Sequence, residues 1–399
     1  MPYSGTSSAA PPAVEAAGSA RQRPQHAAVA AALVSAGLLV YALANQGWRM
    51  PMLFVLGMAL GAVLYLTSFG FTSAYRELML HRETAGVRAQ VLMLALATVL
   101  FAPVLAAGPA FGLAVSGAVA PAGVQVVAGA FLFGIGMQLA GGCGSGTLYT
   151  AGGGSLRMLI VLAAFIAGSF WASLHMGWWA RFPSPREAAL GEVLGWTGAV
   201  ALQLGVLAAL WLGLGRIARD RVERSASLDG ASSKARALTI GAVLLAVLAF
   251  LVLLVAGHPW SITWAFALWG AKAALWLGWQ PDASAFWTGE FQSRALEASI
   301  LEDVTSVTDI GIVLGAAAAA GIAGRFTFHL RITRASLAAA VIGGLAMGYG
   351  ARIAFGCNIG AFFSGVASTS LHGWIWIVAA LAGTWVGVKL RPRFGLANG

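Results

Sequence analysis

The sequence predicts an all-α polytopic membrane protein of about nine transmembrane helices plus re-entrant segments, built as two inverted structural repeats. Three observations carry that prediction. The chain has too few charges to wet a soluble surface, its apolar runs recur at membrane-spanning length, and one motif occurs twice at a fixed offset.

Hydrophobic residues make up 59% of the 399, charged residues only 10%, and the mean hydropathy is +0.81. A soluble domain carries about 25% charged residues. Lipid tolerates no unpaired backbone, so each crossing needs about 20 mostly apolar residues wound as a helix. The formal charge of +10 sits in short clusters between apolar runs, such as Arg216, Arg219, Arg221, Arg224, Lys234 and Arg236. That is the bias of cytoplasmic loops. No contiguous basic face exists to neutralise phosphates, which excludes nucleic acid as a partner.

Eleven apolar runs follow one another: 27–43, 52–69, 91–107, 124–139, 156–174, 193–214, 238–256, 262–279, 308–323, 337–355 and 374–390. If all eleven crossed, and the basic loop 216–236 were cytoplasmic, the acidic stretch 282–309 would fall inside. Arg325, Arg331, Arg334 and the basic C-terminus would fall outside, against the usual bias. Letting 52–69 and 262–279 dip in and return removes the conflict and leaves nine spans. Gly57, Gly61, Ser68 and Gly70 punctuate the first of these segments, and Pro281 follows the second. Such breaks are tolerated where backbone lines a cavity. Only the N-terminal tail, with Arg21 and Arg23, then lies on the wrong side.

The expected organisation is a disordered Ala-, Pro-, Ser- and Gly-rich tail over 1–25, which has no clean cleavage site and is not a signal peptide. An N-terminal membrane repeat with a connecting helix covers 26–215, followed by the basic cytoplasmic loop 216–236. A C-terminal membrane repeat covers 237–393, and 394–399 form a tail.

Residues 134–146 read GIGMQLAGGCGSG and residues 348–360 read GYGARIAFGCNIG, with six of thirteen positions identical at an offset of 214. The same offset pairs Trp171 with Trp385. Nine spans make these units run in opposite directions, the arrangement of secondary transporters whose sites lie near the midplane between repeats. Cys143 and Cys357, the only two cysteines, hold the same place in both units. Two cysteines in 399 residues also exclude a disulfide scaffold. The glycine-rich stretches after them are expected to break their helices and turn free backbone N–H groups towards an anion.

The candidate functional residues are therefore Cys143 and Cys357. The flanking Gly142, Gly144, Gly146, Gly356 and Gly360, with Ser145, Thr147 and Asn358, are expected to shape and polarise the path. Gln138 and Arg352 align across the repeat, five residues before each cysteine. An arginine at this depth needs a pathway or a buried partner such as Asp309. Thiols are soft and offer weak S–H donors, so hard cations are excluded and an anion carrying sulfur suits them. A copper site would bring further sulfur or imidazole ligands, and only Met137 is near. His175, His258, His329 and His372 lie near the ends of apolar runs, where they cap or face the interface. No metal and no cofactor is expected. No nucleotide-binding G-x-x-x-x-G-K-[ST] run occurs. The competing reading is a membrane thiol enzyme handling sulfane sulfur or disulfides, although no Cys-x-x-Cys pair is present.

The stretches GGCGSGTLYTAGGGSLRML and RIAFGCNIGAFFSGVASTSLHGWIW resemble the two signature motifs of the YeeE/YedE family of sulfur transporters, and the resemblance runs from about residue 52 to residue 393. It implies nine spans in inverted halves with re-entrant loops, and no enzymatic step. It also implies thiosulfate uptake across the inner membrane, the anion being passed between cysteines through S–H contacts. The motif cysteines match Cys143 and Cys357. Some members carry a further cysteine in the first re-entrant region, where this chain has Phe69, Gly70 and Phe71. That departure bears on the outermost or innermost relay step, and so on rate or substrate. The basic loop and C-terminus would face the cytoplasm, where a sulfurtransferase is the expected partner.

Overall fold

A computed structural model describes residues 23–222, 229–328 and 332–398. Residues 1–22 of the expected 1–25 tail, with Arg21, and also Arg224, His329 and Arg331, lie outside the described residues. Apolar runs become helices because every backbone group inside lipid must be paired within its own segment. The first half holds α1 (His26–Ala44), α2 (Arg49–Thr67), α3 (Phe71–His81) and α4 (Ala85–Ala107), then a short hairpin, β1 (Pro109–Ala110) and β2 (Leu113–Ala114). It continues with α5 (Val124–Ala140), α6 (Gly144–Gly152) and α7 (Leu156–Ser173). The short α8 (Met176–Trp179) and the long α9 (Leu190–Val222), interrupted at Gly195, link the halves. The second half holds α10 (Asp229–Ala256), α11 (Thr263–Trp276), α12 (Glu290–Glu297), α13 (Val304–Ile322) and α14 (Arg334–Ile353). A π-helical stretch, Asn358–Phe363, then runs into α15 (Ser364–Ala367), before α16 (Leu371–Leu390). Most of the expected loop 216–236 is thus helix.

Two faces emerge from the contacts between helix ends. On the basic face the Gln25 amide donates to the Gly321 carbonyl (2.9 Å), Lys234 pairs with Glu83 (3.2 Å), and Arg157 donates to Ser336 (2.9 Å). On the other, acidic face Arg49 donates to the Val255 carbonyl (2.9 Å), Ser116 N–H to Gly257 (3.0 Å), and Trp287 to Ser173 (2.7 Å). Among the described residues ten helical segments are long and apolar enough to cross, counting α2 with α3, α5 with α6, and α14 with the stretch through α15. Apolar side chains on α1, α9 and α10, such as Leu38, Leu212 and Ile240, stay exposed where lipid covers them.

The tenth segment is α2, which the sequence reading let dip and return. It starts beside Val255 on the acidic face, and Tyr65 near its end donates to the Arg325 carbonyl (3.4 Å) on the basic face. Gly57 and Gly61 do not break it. They abut the Thr308 and Ile312 carbonyls, and Gly311 and Gly315 answer from α13, so the two backbones pack at glycine distance. The chain turns only at Ser68 (φ 49°) and Gly70. One more crossing puts Arg23 on the basic face with the other cations, which removes the one misplacement that nine spans left.

The segment 262–279 does re-enter. Ile262 reaches Gly144 in the interior, and α11, with 14 residues, is too short to span. It climbs along α7, with Gly270 against Phe170, and stops at Gly278 (φ +92°) and Pro281. The 214-residue offset superposes α11 on the start of α2, so the two halves depart from each other here.

The offset holds elsewhere. Gly136 of α5 meets Gly343 and Met347 of α14, and its mate Gly350 meets Gly129 and Phe133 of α5. Gly134 abuts α16 at Ala380, and its mate Gly348 abuts α7 at Phe165. Four of the repeated glycines therefore serve helix packing.

Candidate functional site

After α5 and after α14 the helix stops, two or three residues lead to a cysteine, and a new short helix starts. Gly141 (φ +83°) ends α5, and Phe355 (φ +60°) and Gly356 (φ +149°) follow α14. Cys143 is the N-cap of α6 and Cys357 the N-cap of the π-helical stretch, both in extended backbone. A side chain at Gly356 would run into the Ala361 amide at 2.6 Å, so only glycine allows this turn.

The two breaks abut in the interior. A Cβ on Gly144 would stand 3.1 Å from the Cys357 Sγ and 3.5 Å from Ile262. Both cysteines are free and buried, at 1% and 0% exposed. Cys143 Sγ lies 3.4 Å from the Ser145 hydroxyl, and Cys357 Sγ accepts from the Ile359 amide at 3.5 Å. The second stretch thus turns an N-terminal amide towards its thiol, where the helix dipole favours negative charge, while Cys143 meets a hydroxyl of the first turn of α6. The Thr147 hydroxyl and both amide atoms of Asn358 are buried with no partner among the described residues. A Cβ on Gly146 would stand 3.6 Å from the Cys143 Sγ, and one on Gly360 3.4 Å from the Ser261 hydroxyl, both ordinary van der Waals contacts. A Cβ on Gly142 would stand 3.3 Å from the Gly146–Thr147 peptide.

An aromatic wall surrounds these breaks. Phe71 meets Phe69, Tyr75 and Phe362 edge-on at 6.0–6.4 Å, and Phe362 stacks on Trp376 at 6.5 Å. The Tyr75 hydroxyl sits at the edge of hydrogen-bonding range of Asn358, without a bond of good geometry, and within electrostatic reach of Cys143. Tyr149 of α6 also lies close to Cys143.

The repeat-related Gln138 and Arg352 sit away from the thiols. The Gln138 side-chain amide donates to the Thr72 carbonyl (3.0 Å), while the Gln138 backbone carbonyl accepts from Arg391 (2.6 Å). Arg352 lies over the rings of Phe286 (5.2 Å) and Trp264 (5.9 Å). It does not pair with Asp309, whose two oxygens have no hydrogen-bond partner among the described residues. The sequence leads one to expect a pathway or a buried partner such as Asp309 for this guanidinium, and it lies instead on π-faces because α11 brings Trp264 alongside.

The family model described as sulphur transport matches residues 66–386, four-fifths of the chain and both breaks with it. The chain belongs to the sulphur-transport family. Members are transporters, so this is a membrane carrier of a sulfur compound and not an enzyme. The thiosulfate transporter TsuA of Spirochaeta thermophila is 28% identical over 349 residues, covering 83% of this chain and 96% of the relative. TsuA of Escherichia coli is 24% identical over 85% of this chain and 94% of its own. The probable transporter YedE of Escherichia coli is 34% identical over 142 residues, 35% of this chain and 34% of its own.

Within this sulphur-transport fold, sequence reasoning missed Tyr75, Tyr149 and the aromatic wall. Nothing in their spacing distinguishes them from core aromatics. Asp309 was the exception: an acid just inside an apolar run is a visible signal.

Proposed function

We propose that the chain carries thiosulfate, or a closely similar small sulfur anion, across the inner membrane to its basic face, which is cytoplasmic. The anion passes Cys357 and Cys143 through S–H contacts to its sulfur, with no covalent step. One observation carries the reading: the only two cysteines cap two broken helices that abut in a buried centre. Converging helix N-termini supply amides for the oxygens of such an anion. Ser145, Thr147 and Asn358 add donors that the chain itself leaves partly unused. The placement of the basic face follows the positive-inside rule, with Arg23, Arg157, Arg325, Arg334 and Arg391 on one side. The names of the two TsuA relatives support thiosulfate as the cargo.

Uptake of isotope-labelled thiosulfate into vesicles, with Cys143→Ala and Cys357→Ala beside the wild type, tests this. Loss in both variants with insertion intact is the expected result, and excess sulfite and sulfide as competitors define the cargo. Full uptake by both variants would reduce the cysteines to packing. Accumulation of a persulfide or a Cys143–Cys357 disulfide during turnover would favour thiol chemistry over a non-covalent relay.

A further inference from the structure

We infer that Asp309 is the docking site of a proton that enters together with the sulfur anion, an inference that rests on the transport reading above. Asp309 is the one charged residue of α13 and is 0% exposed. Both of its carboxylate oxygens lack a hydrogen-bond partner, and no cation lies in salt-bridge range among the described residues. A polar chain at membrane depth is expensive, and an ionisable one marks an ion path.

The position of Asp309 ties it to the anion site. On α13, Thr308, Gly311, Ile312 and Gly315 face α2, while Ser306 takes a hydrogen bond from Trp269 of α11 (2.9 Å) and Val313 meets Gly152 of α6. Steps of three and four residues put Asp309 on the stripe of Ser306 and Val313, facing α11 and α6. That is the side on which the two broken helices meet, and Asp309 lies within electrostatic reach of Cys357. Five residues into α13, it stands about 8 Å from the acidic end of the helix, on the entry side of an inward carrier.

The other charged or titratable groups around it are committed elsewhere or distant. Asp303 accepts from Trp264 (2.8 Å) and from the Ser306 amide (2.7 Å), and Glu302 caps the Ser299 amide (3.2 Å). Lys272 of α11 donates to the Leu296 and Ala298 carbonyls, at 2.7 and 2.6 Å. From α2 come only Arg49 and Tyr65, at its two ends, and from α1 only His26 and the exposed Tyr41. The titratable group of α6 is Tyr149, which lies by Cys143, that of the second break is Cys357, and Arg352 stays on its aromatic rings.

The step balances simply: the carboxylate takes one proton from the acidic side, –COO⁻ + H⁺ → –COOH, and returns it on the basic side, with no electron moved. An anion beside an ionised Asp309 meets like charge, so the proton favours anion binding and the anion favours proton binding. A dianion driven towards an inside-negative compartment works against the potential in proportion to its charge, and a companion proton lessens that load.

Purified protein in liposomes, loaded with a pH dye and given labelled thiosulfate under an inward proton gradient, tests the proposal. For one coupled proton, each pH unit of gradient raises the accumulation ratio by about tenfold, and the lumen acidifies in step with uptake. Asp309→Asn should keep exchange of labelled for unlabelled thiosulfate and lose the response to the gradient, while Asp309→Glu keeps both. Gradient-driven accumulation by Asp309→Asn equal to wild type overturns the proposal. So does wild-type accumulation that follows sodium or voltage and ignores pH. Should the Asn variant not enter liposomes, wild-type uptake decides: acidification in step supports the proposal, and uptake without it refutes it. Absence of any wild-type exchange removes the substrate reading itself, whereas exchange without pH response removes this inference alone.

Discussion

Replacing Gly144 by alanine tests the meeting of the two broken helices with a single methyl group. The added Cβ would stand 3.1 Å from Cys357 Sγ, so the sulfur must yield by a few tenths of an ångström. The neighbour is the end of a side chain, and a thiol pushed about 30° off its rotamer costs about 0.5–1.5 kcal/mol. If the anion needs that thiol in place, uptake falls about twofold to tenfold, at about 1.4 kcal/mol per decade. The fold should hardly notice. Gly383→Ala is the control, because its methyl runs into the Phe131 carbonyl, and α5 and α16 must move apart. Such overpacking costs about 1–3 kcal/mol. Labelled uptake and the melting midpoint in detergent separate the two: Gly144→Ala loses transport and keeps its midpoint, while Gly383→Ala loses midpoint. Wild-type uptake by Gly144→Ala would mean that the position of Cys357 against α6 is irrelevant to passage, and the central geometry would be refuted.

Three further outcomes follow from the same geometry. Tyr75→Phe removes a buried hydroxyl that has no partner among the described residues and that serves as a donor to the passing anion, so it should slow uptake about two- to tenfold with the fold intact, in line with about 0.5–1.5 kcal/mol for one hydrogen bond; unchanged uptake would make Tyr75 mere wall. Arg157→Ala releases the end of α5, since Arg157 donates to the Ala140 and Leu139 carbonyls and to Ser336. With about 1.5 kcal/mol or more per bond to a charged donor, discounted for partial exposure, a loss of about 2–4 kcal/mol should show as a lower melting midpoint, and no change would deny the strut. Reporter tags before His26 and after Asn398 should be reached from the same side of the membrane, as ten crossings require; opposite sides would restore nine.

Much of this was legible in the residues. Composition alone determines that the chain lives in lipid, because 10% charge cannot wet its surface. The repeat alone places Cys143 and Cys357 in matching positions, since two copies of one motif fold alike. The charge pattern shows which loops share a face. Tertiary structure decided the rest. Gly57 and Gly61 look like breaks in a one-dimensional reading, yet they admit α13 because a glycine's meaning depends on what packs against it. The same holds for Arg352, whose partner was settled by where α11 re-enters. Periodicity gives a side chain's direction along its own helix. Which backbone lies opposite depends on contacts between segments far apart in the chain, and only the folded molecule brings Gly144 against Cys357 and leaves Asp309 without a partner among the described residues.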